Sequence, residues 1–188
     1  MLAIISPSKT QDFSECNIDI FSQTRQLESS NELIGILKSK SKSQISKLMS
    51  LSEKLSELNF DRFQKFKLPF TLDNAKQAIL AFKGDVYNGI NAPDLSSEDL
   101  EFAQSKVRML SGLYGVVRPL DLIQPYRLEM GTKIEVEDAS NLYKFWRPLL
   151  TQDLKEQMRD DEFVLNLASN EYSKAIDFKS LKHGVITP

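Results

Sequence analysis

Apolar residues recur at Leu33, Ile36 and Leu37, then at Ile45, Leu48, Leu51, Leu55 and Leu58. That three-to-four spacing predicts helix through most of residues 29–66. Before it, "LAIIS" is an apolar run stopped by Pro7, which predicts a first strand with "SPSKT" as the loop at its carboxyl end. In open α/β sheets such ends are where ligands gather. "SSEDLEFAQSKVRML", residues 96–110, begins with serines and acids and predicts a helix start. "NLYKFWRPLLTQDLKEQMRD", residues 141–160, sets Leu142, Phe145, Trp146, Leu149 and Leu150 on one helical side, with Pro148 either kinking the helix or beginning its main part. "EFVLNLAS" predicts a buried strand, "NEYSKAI" a loop entering a helix, and "HGVITP" another extended segment. "AILAF", residues 78–82, fits a short helix or a buried strand equally, because periodicity does not separate the two over so short a run. No repeat or linker divides the chain, so residues 1–188 read as one domain. An extended segment that simply stops at "ITP" reads as the edge of a fragment lacking its C-terminal portion.

Composition changes the picture by exclusion. Over 188 residues the chain is 41% hydrophobic and 27% charged, ordinary for a folded protein. It has no apolar run long enough to span a membrane. Cys16 is the only cysteine and His183 the only histidine. An intrachain disulfide, a His/Cys zinc site and a nucleophile activated by a central histidine are therefore ruled out. A chain without disulfides suits a reducing cytoplasm, and His183 reads as a surface residue. No cofactor or metal is expected. Asp160, Asp161 and Glu162 read as a solvated helix end rather than as iron ligands.

Net charge is −2, which argues against a wholly basic nucleic-acid binder, but the distribution is uneven. Residues 38–83 hold ten Lys/Arg against four Asp/Glu, and residues 84–101 hold five acids and no base. A segment of that kind can set up a local positive field on a near-neutral protein, although lysines solvating helix faces would give the same count.

Three stretches can carry chemistry. In residues 44–58, Ile45, Leu48, Ser50, Leu51, Ser52 and Ser56 fit the outline of a helix-hairpin-helix element, with Lys47 and Lys54 beside it. Its turn would present free backbone N–H groups to a phosphate. Ser50 and Glu53 have capping-box spacing, which would restart a helix there. The apolar spacing alone favours a single unbroken helix, and serines stand where such turns usually carry glycine. In "FKGDVYNG", Lys83 and Asp85 are a candidate amine and acid/base partner beside Tyr87, with turn chemistry as the simpler account of the glycines. "RMLSGLYGVVRPLDLIQPYRLEMG", residues 108–131, gathers three glycines with Arg118, Asp121, Tyr126, Arg127 and Glu129. Arginine recognises phosphate through a planar fork and tyrosine can stack on a base. The pairs Arg118–Asp121 and Arg127–Glu129 would equally pin a long loop. Long loops in compact domains are more often functional than not.

These segments, together with "ISPSKT", "QAILAFKGDVYNG", "LYKFW" and "NLASNEYSKAI", resemble in collinear order the YaaA family of bacterial peroxide-stress proteins. The resemblance implies a mixed α/β fold with a mixed sheet surrounded by helices, a helix-hairpin-helix element falling on Ser43–Leu58, and a basic cleft. It implies a cytoplasmic protein that binds double-stranded or branched DNA and limits oxidative DNA damage and intracellular iron. Lys9, Lys83, Arg118 and Arg127 would line the cleft, with Ser169 and Glu171 as further candidates, and Lys47, Ser50, Ser52 and Lys54 would come from the hairpin. Members continue past "HGVITP" with further strands and a basic helical segment. The expectation is a DNA-binding protein, and the sequence leaves its oligomeric state open, a monomer included. The alternative is a nucleobase- or nucleotide-processing enzyme using Lys83, Asp85, Tyr126 and Glu129.

Overall fold

The chain runs β1 (Leu2–Ile5), α1 (Leu27–Lys38), α2 (Lys42–Met49), α3 (Glu53–Lys65), β2 (Lys76–Gln77), α4 (Ala78–Ala81), α5 (Asp85–Ile90), α6 (Ser97–Lys106), β3 (Val107–Ser111), β4 (Gly115–Val117), β5 (Leu122–Ile123), α7 (Leu142–Gln157), β6 (Val164–Asn166), α8 (Asn170–Ser173) and β7 (Val185–Ile186). The structure is a computed structural model that describes residues 1–159, 161–182 and 184–188. The expectations placed on Asp160 and His183 lie outside the described residues.

The fold is mixed α/β. Its main sheet has the order β4-β3-β1-β6-β7, and β2 pairs with β5 apart from it. β1 runs parallel to both β3 and β6, and β4 turns back antiparallel on β3. A central parallel strand is covered on both faces, which is why "LAII" reads as an unbroken apolar run. From β1 the chain crosses to β3 on one side, and from β6 to β7 on the other. The carboxyl ends of β1 and β6 therefore flank a topological switch point.

Local chemistry sets the boundaries. Ser96 and Asp99 form a capping box that opens α6. That helix stops at Lys106, and "VRML" continues as strand β3, not as the end of the helix its letters extend. "AILAF" resolves into the buried single turn α4 followed by extended Phe82, which bridges Gln11. Pro148 lies inside α7, which runs on through it.

The single helix that the apolar spacing alone favours across residues 44–58 is broken. Ser50 ends α2 in the left-handed region at φ 52°, and Ser52 caps α3 through Leu55 N–H at 3.4 Å. The cap is thus Ser52, and Ser50 takes the position that usually favours glycine. The break also turns the second helix. Ile45 and Leu51 are buried, but Leu55 and Leu58 face outward while Ser56, Asn59 and Phe63 turn in. Ser56 Oγ and Asn59 Nδ2 bond back to the carbonyls of Ser52 and Leu55, so neither polar group is stranded by burial.

Candidate functional site

Three chain segments meet at the carboxyl ends of β1, β3 and β6. Leaving β1, the chain pairs with the strand-like stretch after α4: Asp12 N–H bonds to Ala81 O at 2.8 Å, and Lys83 N–H to Thr10 O at 3.0 Å. Tyr87 on α5 donates to Ser6 O at 2.8 Å. After β6, Ser169 N–H donates to Ser6 Oγ at 2.8 Å. The third segment, residues 126–131, lies against the end of β3. A Cβ at Gly112 would run into the carbonyl of Leu128, so only glycine lets the two backbones come this close. Gly115, at φ 70°, closes the β3–β4 turn over Trp146.

That convergence gathers charge. Glu129 Oε1 accepts from Arg127 NH2, at 2.9 Å, and forms an ion pair with Lys9 Nζ, at 3.1 Å. Lys83 Nζ lies 3.6 Å from Asp12 Oδ2. Asp12 is held down to about 2 by hydrogen bonds from the Ser14 backbone and side chain, with Lys76 and Lys83 adding positive charge. Glu171 Oε1 accepts from Gly131 N–H at 3.0 Å and so braces the third segment.

The helical pair α2–α3 borders this region. Lys67, just past α3, exchanges hydrogen bonds with the Gln124 side chain, three residues before Arg127. Burial lowers the pKa of Arg62 on α3, and the charge of Arg127 lowers it further. Arg62 has one weak bond, to Asn59 Oδ1 at 3.4 Å. Arg127 Nε is buried without an acceptor among the described residues. On the other flank, a groove of about 630 Å³ runs between Lys40 and Leu48 and the stretch that includes Lys133 and Ile134.

Of the residues singled out by sequence, Lys9, Lys83, Arg127, Glu129, Ser169 and Glu171 come together here. Lys47, Ser50, Ser52 and Lys54 are exposed on the adjoining helical pair, and neither lysine forms a salt bridge among the described residues. Arg118 lies elsewhere. It follows β4, which runs antiparallel to β3, and so sits at the amino end of the sheet. There its guanidinium grips the fully buried Asp121 at 2.9 Å. Tyr126 is buried and shares a 2.6 Å hydrogen bond with Ser111, and burial raises its pKa, so it is not poised to exchange protons with a ligand. Asp85 is exposed at the start of α5, and the carboxylate beside Lys83 is Asp12. Glu162 is no solvated helix end: it is buried and binds Lys106 Nζ at 2.7 Å and the N-terminal ammonium at 3.1 Å, while Asp161 stays exposed. Asp12 and Arg62 went unnoticed in the sequence. Asp12 sits in an aperiodic loop and meets its lysine only through tertiary pairing. Arg62 looks like one more solvated helix charge.

A family model described as peroxide stress protein YaaA matches residues 1–188. A relative described as a UPF0246 protein, from Hahella chejuensis (strain KCTC 2396), is 49% identical over 191 residues, covering 100% of this chain and 75% of the relative.

Proposed function

The chain belongs to the YaaA family of peroxide stress proteins, and from that premise we propose that it binds double-stranded or branched DNA through phosphate contacts, without sequence preference. The observation that carries this reading is the convergence of Lys9, Lys83 and Arg127 at the switch point, with Arg62 near Arg127 and the exposed Lys47 and Lys54 on the same α2–α3 pair as Arg62. Lysine and arginine on loops at a sheet's carboxyl end are chemistry for anionic ligands. In this reading Ser50–Ser52 offers backbone N–H groups to one strand, and the loop cations hold the neighbouring phosphates. A cytoplasmic protein of this kind limits oxidative damage and iron toxicity during peroxide stress by acting on DNA, because one cysteine and one histidine give little scope for thiol chemistry on peroxide.

A salt titration of binding to duplex, junction and single-stranded DNA tests it. If the six named cations each neutralise a phosphate, log K should fall against log salt with a slope of about −5. A flat response, or binding confined to one sequence, would contradict the proposal. The enzymatic alternative rests on Lys83, since Tyr126 is occupied by Ser111. Borohydride trapping on an abasic duplex should give no Lys83 adduct.

A further inference from the structure

We propose that Glu129 is an internal stand-in for phosphate: its carboxylate occupies the seat between Lys9 and Arg127 that a phosphodiester takes when nucleic acid binds. This rests on the DNA-binding reading and specifies which group the phosphate must displace. One carboxylate oxygen, Oε1, holds both cations, at 3.1 Å and 2.9 Å. The two cations come from different segments, the loop after β1 and residues 126–131, so they need a shared anion to lie together. A carboxylate supplies that anion in the free protein.

The grip is incomplete in a way that favours exchange. Arg127 gives Glu129 one NH2 bond and not a two-pronged fork, and its Nε–H is buried without an acceptor among the described residues. Arg62 stands close enough for the two guanidinium charges to oppose each other. A single carboxylate thus faces two cationic side chains, with a third guanidinium opposing one of them. A tetrahedral phosphate has more oxygens to share among them and forms the stronger, two-pronged arginine contact. Lys9 is 59% and Glu129 29% exposed at the side chain, so the pair is open to solvent and the carboxylate can swing away at little cost. The seat is therefore self-masking. Every phosphate bound there displaces a carboxylate, which lowers affinity for stray anions and lets only a ligand that also engages the α2–α3 pair bind well.

The test compares Glu129→Gln with Glu171→Gln and the wild type in binding a short fluorescent duplex across a salt series. Glu171 is a neighbouring carboxylate that braces Gly131 and forms no ion pair among the described residues, and Gln keeps its acceptor oxygen. Glu129→Gln should bind about five- to tenfold tighter, with a salt slope steeper by about one, and Glu171→Gln should barely change. Glu129→Asp, with a shorter reach, should fall between wild type and Gln and serves if the amide variant folds poorly. Unchanged or weaker binding by folded Glu129→Gln and Glu129→Asp, with salt-sensitive binding by the wild type, overturns the stand-in and leaves the DNA reading intact. An equal gain in Glu171→Gln also overturns it, since general charge would then be the cause. Absence of duplex binding by all four proteins overturns both.

Discussion

Arginines cluster at both ends of the sheet, and the two clusters are built differently. At the amino end, Arg108 is 4% exposed and donates to Gln157 Oε1 and to the carbonyls of Gln104 and Val107. Burial pulls its pKa down to about 10, with Arg118 adding to the effect. Arg118 forks onto Asp121, which also takes Ser22 Oγ at 2.6 Å and the Arg118 N–H at 2.8 Å. Arg25 bonds to the buried Asp153 at 2.6 Å. At the carboxyl end, Lys9, Arg62, Lys83 and Arg127 are half-open, share carboxylates that are themselves part-exposed, and among the described residues leave the Arg127 Nε–H without an acceptor. Both ends gather cations, and they differ in how deeply the partner carboxylates are buried. Charge paired to carboxylates as buried as Asp121 and Asp153, 0% and 2% exposed, holds a fold together because removing one partner strands the other. Half-open, under-paired charge contributes little to stability and stays available to a ligand.

The largest effect should come from the amino end. Asp121→Ala leaves a guanidinium, a backbone N–H and a hydroxyl without their acceptor, and should cost about 3–5 kcal/mol in urea unfolding. A cost below that of an ordinary surface substitution would erase the distinction between the two ends.

Acid should act next, through Glu162, which Lys106 first, then the Arg159 N–H and the N-terminus, hold down to about 2. A carboxyl depressed in the folded state adds stability above its unfolded value, near 4.5, and loses it as pH falls towards 2. Thermal unfolding followed from pH 6 to 2 should show that loss, and Glu162→Gln should flatten it. An unchanged acid profile in the variant would remove Glu162 as an anchor of the amino end.

The smallest effects belong to the α2–α3 turn. Ser50→Gly relieves a left-handed serine at φ 52° and should stabilise by a few tenths to about 1 kcal/mol. Ser52→Ala removes a cap and should cost about 1 kcal/mol. If the turn meets phosphate through its backbone, Ser50→Gly should also preserve DNA affinity or improve it, and a marked loss would point to the hydroxyl instead.

Much of this was legible in the letters, unevenly. Strand β1 was, because a central parallel strand must be apolar on both faces and Pro7 marks where it ends. The crowding of glycines in residues 108–131 was too, since Gly112 and Gly115 meet a backbone and a tryptophan that leave no room for a Cβ. The α6–β3 boundary was not: "VRML" is apolar enough for a buried strand or a helix end, and only pairing with β1 decides. The broken helix was hidden because Ile45, Leu48, Leu51, Leu55 and Leu58 keep their spacing across a turn that sends the last two outward. In the site, cations were visible as residue types, but which of them share a face depends on strand direction. Arg118 and Arg127 are nine positions apart and lie at opposite ends of the sheet, because β4 runs back along β3 before the chain returns. Asp12 could not be paired with Lys83 from sequence, since the contact spans a loop with no periodic pattern.

The division between the two ends is tested most directly by a matched pair, Arg118→Gln and Arg127→Gln, each assayed for unfolding and for the salt dependence of duplex binding. Arg127→Gln should reduce the salt slope by about one and weaken binding on every sequence alike, with unfolding changed by less than about 1 kcal/mol. Arg118→Gln should lower stability by about 3 kcal/mol or more and leave the slope untouched. The reverse pattern, or two variants that behave alike, would contradict the assignment of DNA binding to the carboxyl end of the sheet.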